Sequence, residues 1–286
     1  GMGGSHAVGG AVEPLYRAHG IDAVALPLSE QLGQPLPLQG RTVLVTSQSG
    51  ESAEVVRWFG EVGEVPDMFG LTLEAESFLG RTVPCLVGAG GSELAFAATR
   101  SLTISFALHL AVLAALGDDP SAALASLQEP QAVGIESAVA ALSGVAGVVT
   151  SGRRLQGLAE ALALGLTELS RRPCFSLEGG QLRHGPMEML GPDIGVVLFR
   201  GDDPTGDLVA AMAASVVAAG APAVVFDASG KPPVEGAVTL TFRPASGLAA
   251  ILAMLPVAQR LMIAFAAERV EDAGTPVRST KITRSE

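Results

Sequence analysis

The residues best suited to chemistry lie in one continuous string, Val43-Leu44-Val45-Thr46-Ser47-Gln48-Ser49-Gly50-Glu51-Ser52. An apolar run enters a cluster of hydroxyl and amide side chains around a glycine, and the helical segment 53–59 follows. A turn of this kind, at the C-terminal end of a strand and the start of a helix, offers free backbone N–H groups and the positive end of a helix dipole to an anion. Ser47, Gln48, Ser49 and Ser52 add neutral donors, so a phosphate could be held without Lys or Arg. The competing reading is that Ser49 or Ser52 caps the helix behind it. His184, in Arg183-His184-Gly185-Pro186, sits before a forced turn, where a turn-stabilising hydrogen bond competes with a catalytic role. Lys281 is one of only two lysines, with Lys231, in a chain whose cations are otherwise Arg. His109, inside an apolar helical run, reads as a satisfied core or interface group.

Stepping out to the elements, short β-branched runs that end in Gly/Ser-rich turns alternate with Ala/Leu-rich helical segments, the pattern of parallel α/β layers. Strands are expected at 23–26, 42–46, 68–73 and 83–87, and again at 147–150, 195–199, 223–226 and 238–242. Long apolar helices are expected at 92–116 and 247–268, and a shorter one at 131–142. From the strands ending at Thr46 and Phe199 the next two runs follow at similar spacings, roughly 25 and 40 residues on, so the chain reads as two copies of one fold. The expected division is 1–125 and 126–286. The first copy begins in a glycine turn at 1–5 with no strand before it, and is therefore expected to lack its lead helix and first strand. Gly1, directly before Met2, reads as a tag remnant and carries no functional argument.

Composition narrows the function. The 286 residues suit about two domains, and 48% hydrophobic with only 16% charged residues excludes disorder as the general state. The net charge of −11 opposes nonspecific binding to nucleic acid or an anionic membrane. The apolar stretches 102–116, 209–226 and 248–267 are short or interrupted for a membrane span. Two cysteines, Cys85 and Cys174, make no disulfide framework, and the N-terminus lacks a signal-peptide pattern, so a cytoplasmic location is expected. No Cys/His spacing suggests a metal, and no cofactor is called for.

The 47–52 string resembles the phosphate loop of the sugar isomerase (SIS) domain family, Ser-Gln-Ser-Gly-Glu-Thr, with Ser52 for Thr. Gly3-Gly4-Ser5 resembles that family's Gly-Thr-Ser turn, which adds Ser5 as a substrate-binding candidate. The segment 92–100 resembles its Glu-x-x-Val-Ala-Ser-Thr-Lys helix start. Leu182-Arg183-His184-Gly185-Pro186 and Thr280-Lys281 resemble the Leu-Lys-His-Gly-Pro and Ala-Lys motifs of the tandem-SIS isomerase half of glucosamine-6-phosphate synthases. The glutaminase domain of those enzymes is not expected here. The resemblance implies two flavodoxin-like, three-layer α/β domains with parallel sheets, and an isomerase of hexose or amino-hexose 6-phosphates. It implies Glu168, sixteen residues before His184, as the base for C1/C2 proton transfer, His184 as the ring-opening acid/base group, and Lys281 as a Schiff-base or ring-opening residue. A homodimer in which His184 completes the neighbouring chain's site is implied as well.

Three positions depart from that pattern on the helix bearing Glu168: Ala161 replaces an acid, and Gly165 and Thr167 replace lysines. Ala98 replaces a serine. These changes weigh against the synthase's own substrate and leave isomerisation, or deamination of an amino sugar phosphate, as the expected reactions. A non-catalytic phosphosugar sensor is the alternative, and a structural dimer with a vestigial pocket a third reading. No helix-turn-helix extension or basic patch favours a transcriptional sensor.

Overall fold

The computed structural model describes residues 1–63 and 67–284. These divide into two units, Gly1–Asp118 together with Pro276–Glu286, and Asp119–Thr275. The division falls near the expected boundary, but the C-terminal segment expected with the second domain groups with the first.

In the first unit, α1 (Gly3–Ala18), β1 (Val43–Thr46), α2 (Ala53–Val62), β2 (Met68–Thr72), α3 (Phe78–Thr82), β3 (Cys85–Val87) and α4 (Arg100–Ala115) follow in sequence. The sheet is parallel in the order β1-β2-β3, with Val43 opposite Met68 and Gly70 opposite Cys85. Strand β1 and α2 supply Val45, Val55, Trp58 and Phe59 to a core completed by Leu28, Met68 and Leu79. Helix α4 is apolar around most of its circumference and buries Leu102, Phe106, Leu110 and Leu113. Burying each such side chain contributes about 1.5–3 kcal/mol.

Two expectations fail here for identifiable reasons. The segment Ala23–Leu26 joins no sheet: Ala25 N donates to Glu13 Oε2, and Ala23 O accepts from Arg17 Nε, so side chains of α1 take bonds a neighbouring strand would have made. Residues 92–99 are irregular, and α4 starts only at Arg100. The acid at position 93 folds back onto the N–H groups that a longer helix would have bonded internally.

The second unit contains α5 (Ser121–Gln128), α6 (Glu136–Leu142), β4 (Gly147–Ser151), α7 (Gln156–Ser170), β5 (Cys174–Ser176), α8 (Gly179–Arg183), β6 (Ile194–Gly201), α9 (Gly206–Ala218), β7 (Ala223–Ala228), β8 (Val238–Thr241) and α10 (Gly247–Ala267). Its sheet is wholly parallel in the order β5-β4-β6-β7-β8. Counting strands within the unit, this is the flavodoxin-like order 2-1-3-4-5. The consecutive strands of the first sheet repeat the β6-β7-β8 half of this pattern. Strands β4, β6 and β7 are buried along nearly their whole length, which is why they read as continuous apolar runs rather than alternating ones. Helix α10 is long and apolar enough to cross a membrane by length and composition, and 67% of that stretch is buried inside the structure. Its burial against α7 and α5 fits a core helix. Helix α6 begins at Glu136 rather than at the expected Gln131.

Candidate functional site

Within the first unit, the C-terminal ends of β1 and β2 meet the N-terminal turns of α1, α2 and α4. The β1 chain continues the sheet bonding into the loop: Ser47 N donates to Leu71 O and Leu73 N to Gln48 O, both at 3.0 Å. The loop then folds on its own side chains, Gly50 N donating to Ser47 Oγ and Glu51 N to Ser49 Oγ, each at 3.2 Å. Both hydroxyl oxygens thus act as acceptors and keep their protons for a ligand. Gly50 has φ +63°, and a Cβ there would collide with Ser77, with Ser77 Cβ at 2.7 Å, so glycine is required on both conformational and packing grounds.

Ser52 occupies the N-cap position of α2 with φ −66° and ψ 145° but makes no side-chain cap hydrogen bond. The capping explanation for this serine therefore fails, and its hydroxyl is not spent on the helix. Gln48 Nε2 is buried with no hydrogen-bond partner. A buried amide left so costs about 1–3 kcal/mol, which makes this nitrogen a donor poised for an acceptor. Ser5 lies in the first turn of α1, 8% exposed, and a Cβ on adjacent Gly4 would stand 3.9 Å from Gln48 Nε2. The structure thus brings Ser5, Ser47, Gln48, Ser49 and Ser52 into one neighbourhood.

Lys281 joins them from the far end of the chain. Thr283 O accepts from Ala53 N at 2.9 Å, which lays residues 281–283 along the start of α2. Lys281 Nζ donates to Phe96 O at 3.2 Å and lies 4.0 Å from Glu93 Oε2. Glu93 was overlooked as a site residue. Its carboxylate accepts from Thr99 N and Oγ1, Arg100 N, and Ser101 N and Oγ, so it caps α4 from seven residues upstream. Burial opposes its charge, but the hydrogen bonds from Ser101 and Thr99 prevail and hold the carboxyl at about 2. Ser101 Oγ also lies 2.7 Å from Gln48 Oε1. An acid within a glycine-rich apolar stretch was the available sequence signal; its forward reach to the helix start was not visible.

Beneath the loop, His109 is 3% exposed, with Nδ1 at 3.0 Å from the Tyr16 hydroxyl and Nε2 at 3.1 Å from Thr46 Oγ1. Burial, and then the positive charge of the Gly1 amino group, lower it to about 4, so the ring is neutral at pH 7. His109 is a satisfied core group.

Glu168 and His184 lie in the second unit. Glu168 is half-buried in the last turn of α7. His184 is exposed and forms the C-cap of α8, its N–H bonded to Gln181 O at 3.2 Å, just before Gly185 with φ +110°. Along α7, Ala161 is 8% exposed, and a Cβ on Gly165 would run into the sulfur of Met262 on α10. A lysine at 165 would have no room. The turn after β6, which corresponds in strand order to the 47–52 loop, is filled from within: Asp203 Oδ1 accepts from Thr205 N at 2.7 Å and Oγ1 at 2.5 Å. Arg200 there is 3% exposed and paired at 2.9 Å with Asp227, itself 4% exposed. A phosphate would meet carboxylates at this turn, so the two sheets are not equivalent as anion sites.

No family model matches the chain, and no curated protein matches it. Solved structures do. A provisionally assigned phosphosugar isomerase from Silicibacter pomeroyi DSS-3 superposes with TM-score 0.80 at 25% identity, over 93% of this chain and 84% of that one. The C-terminal domain of glucosamine-fructose-6-phosphate aminotransferase from Francisella tularensis gives 0.77 at 19% identity, over 93% and 82%. Tagatose-6-phosphate ketose/aldose isomerase from Escherichia coli gives 0.74 at 19% identity, over 96% and 82%. The fold is thus that of phosphosugar-isomerase-type SIS structures.

Proposed function

We propose that the chain is an isomerase of a hexose or amino-hexose 6-phosphate, working by ring opening and proton transfer between C1 and C2. The observation that carries this reading is the neutral anion cradle after β1: free serine protons, an uncommitted Ser52, and the buried, unpartnered Gln48 Nε2. In this reading Ser47, Gln48, Ser49 and Ser52 hold the phosphate and Ser5 a sugar hydroxyl. Aldose–ketose exchange then needs an acid/base group at the ring oxygen, a carboxylate at the acidic C–H, and a cation or donor at the developing oxyanion. His184, Glu168 and Lys281 are assigned those roles in that order. Glu168 takes the proton from the carbon beside the carbonyl and returns it to the neighbouring carbon, so the sugar is neither oxidised nor reduced overall. With an amino sugar, the same shift gives a 2-imine that water hydrolyses to the ketose and ammonia.

A homodimer in the cytoplasm is the proposed setting. The alternative is a non-catalytic phosphosugar sensor, favoured by the apolar replacements Ala161 and Gly165 on the helix carrying Glu168. The deciding assay incubates the protein with fructose 6-phosphate, glucosamine 6-phosphate and tagatose 6-phosphate and follows ketose–aldose exchange and ammonia release. Turnover abolished by Glu168→Gln supports the enzyme; saturable binding without turnover of any of these sugars identifies the sensor. Light scattering showing a monomer would overturn the dimer.

A further inference from the structure

His184 stands at the end of a helix too short to hold itself. Helix α8 has five residues, Gly179–Arg183, and a helix of that length has no stability of its own in water. Three anchors fix it. Leu182 is fully buried, Gly179 N donates to Gly152 O at 3.0 Å, and the Glu178 carboxylate caps the first turn, its Oε2 accepting from Gly180 N at 2.6 Å and Gln181 N at 3.3 Å. The other carboxylate oxygen, Oε1, accepts from Arg153 Nη1 at 2.6 Å. The guanidinium lies across the start of the helix: a Cβ on Gly179 would stand 2.8 Å from Arg153 Nε, and one on Gly180 3.1 Å from Nη1, so two glycines leave the space it fills. Arg153 itself belongs to the turn that leads into α7, where its carbonyl accepts from Gln156 N at 3.1 Å. The two side chains are 22% and 37% exposed, and an ion pair so open to water adds little to stability. Its effect lies in direction.

We propose that Arg153 and Glu178 are positioning residues: the bridge between them ties the turn bearing His184 to the head of α7, the helix that carries Glu168, and so holds the imidazole in one orientation. The consequence for catalysis rests on the isomerase reading. The clamp itself does not, and it can be tested in the protein alone. Glu178→Asp keeps a carboxylate at the N-cap but is too short to reach Arg153, and Arg153→Met removes the cation while leaving Glu178 to cap α8. In both, backbone order parameters at residues 179–185, measured by nitrogen-15 relaxation, are expected to fall from about 0.85 to below about 0.6, with those of α10 unchanged. Arg153→Lys, which keeps a charge without the guanidinium fork, is expected to recover part of the order. Far-UV circular dichroism checks that each variant is folded. Order at 179–185 unchanged in folded Glu178→Asp and Arg153→Met overturns the proposal.

Kinetics with fructose 6-phosphate then read the consequence. In Glu178→Asp and Arg153→Met, kcat should fall about ten- to 100-fold while KM stays near the wild-type value, because the groups proposed to hold the phosphate lie in the other unit. Arg153→Lys should regain part of kcat. Order lost with kcat unchanged sinks the positioning role and leaves the isomerase reading standing. Absence of turnover of every sugar by the wild type sinks the isomerase reading, while the order parameters still decide whether the clamp exists.

Discussion

Lowering the pH from 7 to 5 should destabilise the first unit chiefly through His109. The ring lies at about 4 in the folded protein against an ordinary 6.5, so the unfolded chain binds a proton that the native core refuses. A histidine depressed in this way gives stability that is complete above the unfolded value and is lost as pH falls toward the folded one. Between pH 7 and 5 this linkage removes about 2 kcal/mol through His109. Glu93, at about 2, contributes only below about pH 4.5, its ordinary range. The assay is urea unfolding followed by Trp58, the single tryptophan, 1% exposed and packed in the core of the first unit. From pH 7 to 5 the wild type should lose about 2 kcal/mol more than His109→Gln does, whatever the substitution itself costs at pH 7. Equal losses in the two proteins would refute the assignment of acid sensitivity to this buried imidazole.

Three further outcomes are expected. Ser52→Ala should weaken inorganic phosphate and fructose 6-phosphate binding about five- to tenfold by calorimetry, yet leave the urea midpoint within error, because Ser52 makes no cap bond; a stability loss near 1 kcal/mol would restore the capping role. Gly50→Ala should cost about 2–3 kcal/mol, from the left-handed backbone and from displacing Ser77, whose Oγ accepts from Gly80 N to cap α3, and a Trp58-monitored melt reads it. Arg200→Met should cost about 3 kcal/mol in thermal unfolding, since Asp227 would stay buried without its partner.

Fold and sequence agree most closely where pattern and local chemistry coincide. The strands after Ala146, Asp193 and Pro222 are apolar on both faces because they sit inside a parallel sheet, so their runs are unbroken and easily seen. The turn at 47–52 was legible because a strand-to-helix loop of this kind is made by residues adjacent in sequence. The stretch 23–26 misled because a β-branched run states a preference for extended backbone without naming a partner, and here Glu13 and Arg17 took its bonds. The helix at 92–116 was overextended because propensity does not register a carboxylate reaching from 93 to 101. Gly165 looked like a lost lysine; only the position of Met262 shows that the space itself has closed.

The division of the chain carries a consequence for its synthesis. The second unit is one uninterrupted stretch, Asp119–Thr275, whereas the first is assembled from Gly1–Asp118 and Pro276–Glu286. A nascent chain can therefore bury the five-stranded core while the first unit still lacks its closing segment. Thr283 reaches Ala53, and Lys281 reaches Phe96 and Glu93, across sequence separations that the ribosome must complete before either contact forms. A chain stopped short of residue 281 carries the 47–52 loop without the Lys281 side chain, so the contact between the two ends of the first unit is the last part of that unit to form as the protein is made.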